Sequence, residues 1–131
     1  MIVVTHLLGT GHLARALTLG KSFAAAGHRV SVVSGGAPVP HFDTTGLELV
    51  QLPPVRSNGT DFTTLLTQDG GVADPAYMRD RQSQLLEALA RIGPDVVITE
   101  LFPFGRRILR SEFRALLEAA QGMAARPLVL C

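Results

Sequence analysis

A glycine-rich turn followed by a histidine is the part of the sequence best suited to chemistry. Gly9, Thr10 and Gly11 follow an apolar N-terminal run, and His12 stands at the start of a helical pattern. Glycine lets a ligand approach the main chain closely, and the first N–H groups of a helix lack intrahelical partners. We therefore expect these residues to bind a phosphate, or the negatively charged oxygen that develops during a reaction.

His12 is the candidate general base of this turn. The positive end of the helix dipole disfavours a protonated imidazole, so we expect a neutral ring that can accept a proton near neutral pH. The alternative is that His12 only closes the turn. His6, in the preceding apolar run, is expected to be a hydrogen-bonded core residue, with a place in the substrate cleft as the alternative.

A second group of reactive side chains follows the apolar segment 95–101. Glu100 can stabilise the positive charge that a histidine base gains; the alternative is a loop carboxylate bonded to backbone N–H groups. Gly105 and Arg106 are expected to open the next helix and to hold a phosphate of the substrate. The four-residue spacing of arginines also fits a solvated stripe on that helix, made of Arg106, Arg110 and Arg114.

The segment between residues 53 and 74 is polar and contains several glycines. Structureless loops of this length in compact domains are usually functional lids or mobile segments. Arg56, Asn58 and Asp61 are the side chains in it that we expect to face a substrate. We select Arg56 and Asp61 as candidate substrate-binding residues, although the spacing does not rank them.

Apolar runs bounded by glycine and proline predict five strands, at residues 1–8, 29–34, 47–52, 95–101 and 127–131. Apolar residues at helical spacing predict helices at residues 13–26, 75–92 and 105–120. This alternation predicts an α/β fold, a Rossmann-like doubly wound parallel sheet in one domain, residues 1–131, with strand order 3-2-1-4-5. Ligands bind such sheets where the strand order reverses, so His12 and Glu100 are expected to face one crevice.

Composition and charge exclude several classes of protein. The chain has 131 residues, 47% of them hydrophobic, and a net charge of +1, which argues against disorder and against nucleic-acid binding. No apolar run reaches the ~18 residues of a membrane span. The single cysteine, Cys131, fits a reducing cytoplasm. No cluster of histidines and carboxylates has metal-ligand spacing, so no metal is expected.

Two other functions fit parts of the sequence. The residues from Gly9 to Ala14 match a dinucleotide-binding fingerprint, which predicts an NAD(P)-binding module. That fingerprint requires an acidic residue about 20 positions further on, whereas the first acid after the second predicted strand is Asp43. A non-catalytic interaction domain is the other alternative, in which the apolar terminal strand, residues 128–131, associates with a second chain.

Three motifs in this order resemble the N-terminal domain of GT-B glycosyltransferases. They are Gly-Thr-Gly-His at 9–12, Ala-Gly-His-Arg-Val at 26–30 and Pro-Asp-Val-Val-Ile at 94–98. The chain is most similar to the MurG-like group, including predicted bacterial glycosyltransferases that share the stretches 6–36 and 99–107. The resemblance covers essentially the whole chain.

The resemblance implies the acceptor-binding half of an inverting enzyme, truncated and inactive alone, whose missing C-terminal domain binds a nucleotide-sugar donor. His12 would be the general base and Glu100 its partner, where the family more often has aspartate. The donor is a co-substrate, and no other cofactor is implied. The acceptor would be a small molecule or a lipid-linked hydroxyl compound. The implied location is the cytoplasm, with peripheral contact at the inner membrane face as an alternative.

Overall fold

The structure is a computed structural model that describes residues 1–59 and 61–131; the side chains of Asp61 and Phe62 lie outside this description. In chain order its elements are β1 (Ile2–Val4), α1 (Gly11–Ala25), β2 (Ser31–Ser34), β3 (Glu48–Gln51), β4 (Arg56–Asn58), β5 (Asp61–Leu66), α2 (Pro75–Ile92), β6 (Val96–Thr99), a short 3₁₀ turn (Arg107–Leu109), α3 (Arg110–Gly122) and β7 (Leu128–Leu130).

Five strands form a parallel sheet in the order β3-β2-β1-β6-β7. The expected α/β architecture with a parallel sheet is confirmed. The predicted order 3-2-1-4-5 differs from the observed 3-2-1-6-7 because the chain has two further strands. β4 and β5 pair antiparallel as a separate hairpin, so the predicted fourth and fifth strands are β6 and β7.

The hairpin lies in the segment that the sequence predicts to be a loop. Its polar, glycine-containing sequence does not alternate in the way that identifies a half-buried strand. Tertiary contacts stabilise it instead, since the Ser57 N–H donates to the Leu7 carbonyl oxygen at 3.0 Å. The Ser57 hydroxyl donates to the same oxygen at 3.1 Å, which ties the hairpin to the segment after β1.

The central strands β1 and β2 are buried on both faces of the sheet. On one face, Ile2 and Val4 pack against α1 residues such as Leu13. On the other face, Val3 packs in the core formed with α2 and α3, which includes Phe113. This alternation follows from the two-residue period of a strand, and it places helices on both sides of the sheet.

Local sequence signals explain where α2 begins and ends. The Asp74 carboxylate accepts a hydrogen bond from the Tyr77 N–H at 2.7 Å, and Pro75 occupies the first helical position. Gly93 ends the helix in the left-handed conformation, with φ of 54°. α3 begins at Arg110 and not at the predicted residue 105, because a tight loop and the 3₁₀ turn occupy the intervening residues.

β7 lies at one edge of the sheet. Its leucines Leu128 and Leu130 are 61% and 44% exposed, and both alternate with Val129, which packs against the core. An exposed edge strand presents unpaired backbone groups to other chains. The alternative in which a second chain, including another copy of this one, associates with this strand stays a prediction.

The packing predicts a clear contrast between two neighbouring leucines of α2. Leu85 is fully buried, so Leu85→Ala is expected to lower the free energy of unfolding by about 2–5 kcal/mol through the cavity it leaves. Leu86 is only half-buried and provides the matched control, since Leu86→Ala removes less buried surface. Urea unfolding followed by circular dichroism measures both losses, and equal losses would contradict this packing.

Candidate functional site

The candidate site lies at the carboxyl edge of the sheet, between β1 and β6. The segment after β1 leads through the glycine turn into α1, where His12 is the second residue. Glu100 directly follows β6 and continues its pairing, since the Glu100 N–H donates to the Val3 carbonyl oxygen at 2.9 Å. Because β1 and β6 are neighbours in the sheet, the two side chains meet across the crevice, as the sequence predicts.

His12 and Glu100 form a direct contact, with 3.0 Å between the imidazole Nδ1 and the carboxylate Oε1. A carboxylate can only accept a hydrogen bond, so Nδ1–H is the donor. This arrangement selects the tautomer in which Nε2 carries a free lone pair. The His12 side chain is 29% exposed and that of Glu100 16%, so Nε2 belongs to a ring that a substrate can reach.

Arg15 is a third member of this contact that the sequence interpretation missed. Its Nη1 lies 3.2 Å from the same Glu100 oxygen, and it follows His12 by three residues on α1, on the same helix face. The Arg15 side chain is 66% exposed, so water screens its attraction to the carboxylate. The three-residue spacing from His12 along α1 could have identified Arg15 from the sequence.

The loop that carries Glu100 has an unusual backbone. Leu101 and Arg106 adopt positive φ angles of 69° and 60°, which are unfavourable for residues with side chains. Two hydrogen bonds hold the loop: the Thr99 hydroxyl donates to the Phe102 carbonyl oxygen at 2.8 Å, and the Gly105 N–H donates to that of Leu101 at 2.6 Å. Such strain persists only where surrounding contacts enforce it, and it concentrates at functional sites.

Arg106 points back to the crevice. Its Nε–H donates to the Thr5 carbonyl oxygen at 2.5 Å, and the side chain is half-buried. Burial lowers the pKa of Arg106, and the nearby Glu100 carboxylate opposes this effect. The predicted solvated stripe of Arg106, Arg110 and Arg114 is therefore wrong for its first member, which precedes the helix and faces inward.

Gly105 does not open a helix, contrary to the sequence prediction, because α3 begins at Arg110. It closes the tight loop instead. A Cβ at this position would make a tight contact of 3.3 Å with the Leu101 Cβ. Any contact of Gly105 with a phosphate stays a prediction.

An open cleft of about 500 Å³ begins at the glycine turn that leads to His12, although neither His12 nor Glu100 lines it. Gly9 and Thr10 of the glycine turn line this cleft, and so does Arg56 of the hairpin. Gly9 adopts the left-handed conformation there, with φ of 68°. Its walls are largely apolar and include Leu8, Pro38 and Val39.

Two further residues, Gly11 and Asp61, are predicted to bind the substrate. Gly11 is the exposed first residue of α1. Its N–H belongs to a helix end that the Thr10 side chain leaves uncapped within the described residues, so the anion-binding potential of this turn is retained. The Asp61 side chain lies outside the described residues.

His6 is buried at the floor of the cleft. Burial lowers the pKa of His6; the backbone of Ala37 opposes this effect, and the charges of Arg106 and His12 add to it. Its Nδ1 has no hydrogen-bond partner among the described residues. The ring packs so closely on Gly36 that a Cβ there would overlap it. The expected burial is therefore observed, but the expected hydrogen bonding is incomplete at Nδ1.

Two buried charged residues next to the site were also missed. Arg81 and Glu112 are both buried and form an ion pair between α2 and α3, with 2.6 Å between Nε and Oε2. Helical periodicity was the signal that could have identified them. Arg81 follows Met78 by three residues and precedes Leu85 by four, and Glu112 has the same relation to Leu109 and Leu116, so each lies on the apolar face of its helix.

Comparisons of the chain with protein-family models, with curated proteins and with solved structures find no match. Among residues 1–59 and 61–131, no group of three metal-binding side chains comes together. Within that same part of the chain, no helix combines the length and the hydropathy needed to cross a bilayer.

The buried His6 predicts a specific pH dependence of stability. Its pKa is lowered in the folded state, so below the unfolded-state value of about 6.5 the unfolded chain binds more protons and folding stability is lost as pH falls. His6→Gln is expected to lose less stability than the parent chain between pH 7.5 and 5.5.

Urea unfolding at the two pH values measures this difference. His28 is exposed at the other end of the sheet, so His28→Gln is the control and should retain the parent pH dependence. Identical pH dependence in His6→Gln and the parent chain would show that His6 is not the titrating group.

Proposed function

We propose that this chain is the acceptor-side part of an inverting glycosyltransferase that moves a sugar from a nucleotide-sugar donor to a hydroxyl acceptor. The observation that carries the proposal is the 3.0 Å contact between His12 and Glu100, between the carboxyl ends of β1 and β6. The contact holds one imidazole nitrogen and leaves the other free as a base. The sequence resemblance to the N-terminal domain of MurG-like GT-B enzymes supports the same reaction.

In the proposed reaction, Nε2 of His12 removes the proton of the acceptor hydroxyl as its oxygen attacks the anomeric carbon of the donor. A new C–O bond forms at that carbon, the bond to the donor phosphate breaks, and the nucleoside diphosphate leaves with the electron pair. The imidazole becomes positively charged. The Glu100 carboxylate stabilises that charge through Nδ1–H, which favours the transition state.

The acceptor occupies the cleft next to this pair in our proposal. Gly9, Thr10 and Gly11 bring backbone N–H groups to it, and Arg56 reaches it from the hairpin. Arg106 supplies a guanidinium whose Nη groups have no hydrogen-bond partner among the described residues, which suits a phosphate of a lipid-linked acceptor. We retain Gly105 and Asp61 as neighbours of that acceptor.

The donor is bound by a second domain in this proposal, so that the chain alone does not turn over. One observation distinguishes this function from nicotinamide binding. A dinucleotide-binding sheet carries an acidic residue at the end of its second strand to bind the ribose, whereas β2 is followed by Gly35 and Gly36. Saturable binding of NAD⁺ or NADP⁺ in a calorimetric titration would favour the nicotinamide alternative.

Replacement of the proposed base tests the mechanism. In a protein that joins this chain to a donor-binding domain, His12→Ala is expected to lower turnover by about 10² or more, because general base catalysis contributes 10² to 10⁴. Release of the nucleoside diphosphate from UDP-, GDP- or TDP-sugars, with hydroxyl acceptors present, measures turnover. His28→Ala is the matched control, and retention of parent activity by His12→Ala would remove His12 from the mechanism.

Replacement of the carboxylate separates its charge from its hydrogen bond. Glu100→Gln keeps an oxygen that can accept from Nδ1–H but loses the negative charge that stabilises the imidazolium. Turnover in the same assay is expected to fall between the parent value and that of His12→Ala. Glu118→Gln, on the exposed surface of α3, is the control, and parent activity in Glu100→Gln would exclude an electrostatic role for this residue.

A further inference from the structure

The guanidinium of Arg81 is fully buried at the carboxyl edge of the sheet and uses every hydrogen-bond donor it has. Nε donates to Glu112 Oε2 at 2.6 Å and Nη2 to Glu112 Oε1 at 3.1 Å. Nη1 donates to the carbonyl oxygens of Gly35 and Pro53, at 2.8 and 2.5 Å. Nη2 also donates to the Thr5 hydroxyl at 3.0 Å. A guanidinium has five N–H groups, and each has an acceptor here.

The three acceptors other than Glu112 share a position in the fold. Thr5 directly follows β1, Gly35 directly follows β2, and Pro53 lies two residues after the end of β3. One side chain therefore joins the carboxyl ends of three adjacent parallel strands, where the candidate site lies. The ion pair with Glu112 anchors that side chain to α3.

The residues after β2 are fitted to this arrangement. A Cβ at Gly35 would overlap both the Arg81 guanidinium and the Thr5 hydroxyl. A Cβ at Gly36 would overlap the His6 ring and its carbonyl oxygen. The glycine pair is thus required by close approach of Arg81 on one side and of His6 on the other.

The contacts of Arg81 continue into the cleft. The Gly35 carbonyl oxygen that accepts from Arg81 also accepts from the Val55 N–H at 3.1 Å, and the Ser57 N–H donates to the Leu7 carbonyl oxygen at 3.0 Å. Between these two anchored residues lies Arg56, which lines the cleft. On the other side of the crevice, the Thr5 carbonyl oxygen accepts from the Arg106 Nε–H.

A buried ion pair usually contributes little to the free energy of unfolding compared with apolar residues at the same positions. Desolvation of the two charges offsets much of their attraction, and apolar residues of similar volume often replace such a pair without loss of stability. Removal of one partner is strongly destabilising, because the other charge stays buried without compensation. The number and placement of the Arg81 contacts indicate a different role for this pair.

We propose that Arg81, oriented by Glu112, is a positioning residue that fixes the carboxyl ends of β1, β2 and β3 and the cleft strand carrying Arg56 relative to the His12–Glu100 pair. Its importance for the reaction rests on the proposed function. Its effect on the backbone that carries Arg56 does not, and hydrogen exchange measures that effect in this chain without any substrate.

The main test replaces the pair by apolar residues in the double variant Arg81→Met/Glu112→Leu. The variant is expected to fold, while exchange of the Val55 and Ser57 amides becomes at least about tenfold faster. Arg81 no longer holds the Gly35 carbonyl oxygen that accepts from Val55, nor Thr5, which lies two residues before the Leu7 carbonyl oxygen that accepts from Ser57. The Ile98 amide, which donates to Met1 across the far part of the sheet, should change by less than about twofold. The surface pair variant Arg114→Met/Glu118→Leu is the matched control and should leave all three amides unchanged.

A milder pair of variants covers the case in which the double variant fails to fold. Thr5→Val removes one acceptor of Arg81, whereas Thr5→Ser retains the hydroxyl. Faster exchange of Val55 and Ser57 is expected in Thr5→Val, with rescue by Thr5→Ser. A folded double variant, or a Thr5→Val chain, that shows parent exchange at both amides would overturn the positioning role.

Turnover in the protein that carries a donor-binding domain separates the two proposals. Loss of exchange protection together with a kcat at least about tenfold lower and little change of KM for the donor supports positioning of the acceptor side. Loss of protection in a protein without transferase activity would sustain the positioning role and contradict the proposed function. Parent exchange rates at the Val55 and Ser57 amides, together with a turnover that depends on His12, would contradict the positioning role and sustain the proposed function.

Discussion

A buried guanidinium requires an acceptor for each of its N–H groups, and Arg81 imposes this requirement on the carboxyl edge of the sheet. Glu112 balances the charge. The backbone after β2 and β3 and the hydroxyl after β1 must converge on one point to satisfy the remaining donors. That convergence shapes the floor on which the candidate site is built, and it excludes a side chain at Gly35.

The chemistry of the site depends on strand order more than on local sequence. His12 and Glu100 are 88 residues apart in the chain and meet only because β6 pairs with β1. The strand order reverses at this point, since β2 and β3 lie on one side of β1 and β6 and β7 on the other. The resulting crevice is the usual place for a ligand in a parallel α/β sheet.

The sequence predicts those parts of the molecule in which one physical signal dominates. Apolar periodicity located the helices and the parallel strands, and the strand order then brought Glu100 to His12. The hairpin was not predictable in this way, because Ser57 is held by Leu7, a contact between distant segments. Arg106 was assigned to a helix from its spacing, whereas a positive φ and the Thr5 carbonyl oxygen direct it inward.

The proposed function depends on His12 as the base for an acceptor hydroxyl. The most direct measurement is the distance from His12 Nε2 to the acceptor oxygen in a crystal structure with an acceptor and a donor analogue bound. If His12 is this base, the distance should be about 2.6 to 3.2 Å, with Nδ1 still bonded to Glu100. An acceptor bound elsewhere, or an Nε2 that instead donates a hydrogen bond to the protein, would contradict it.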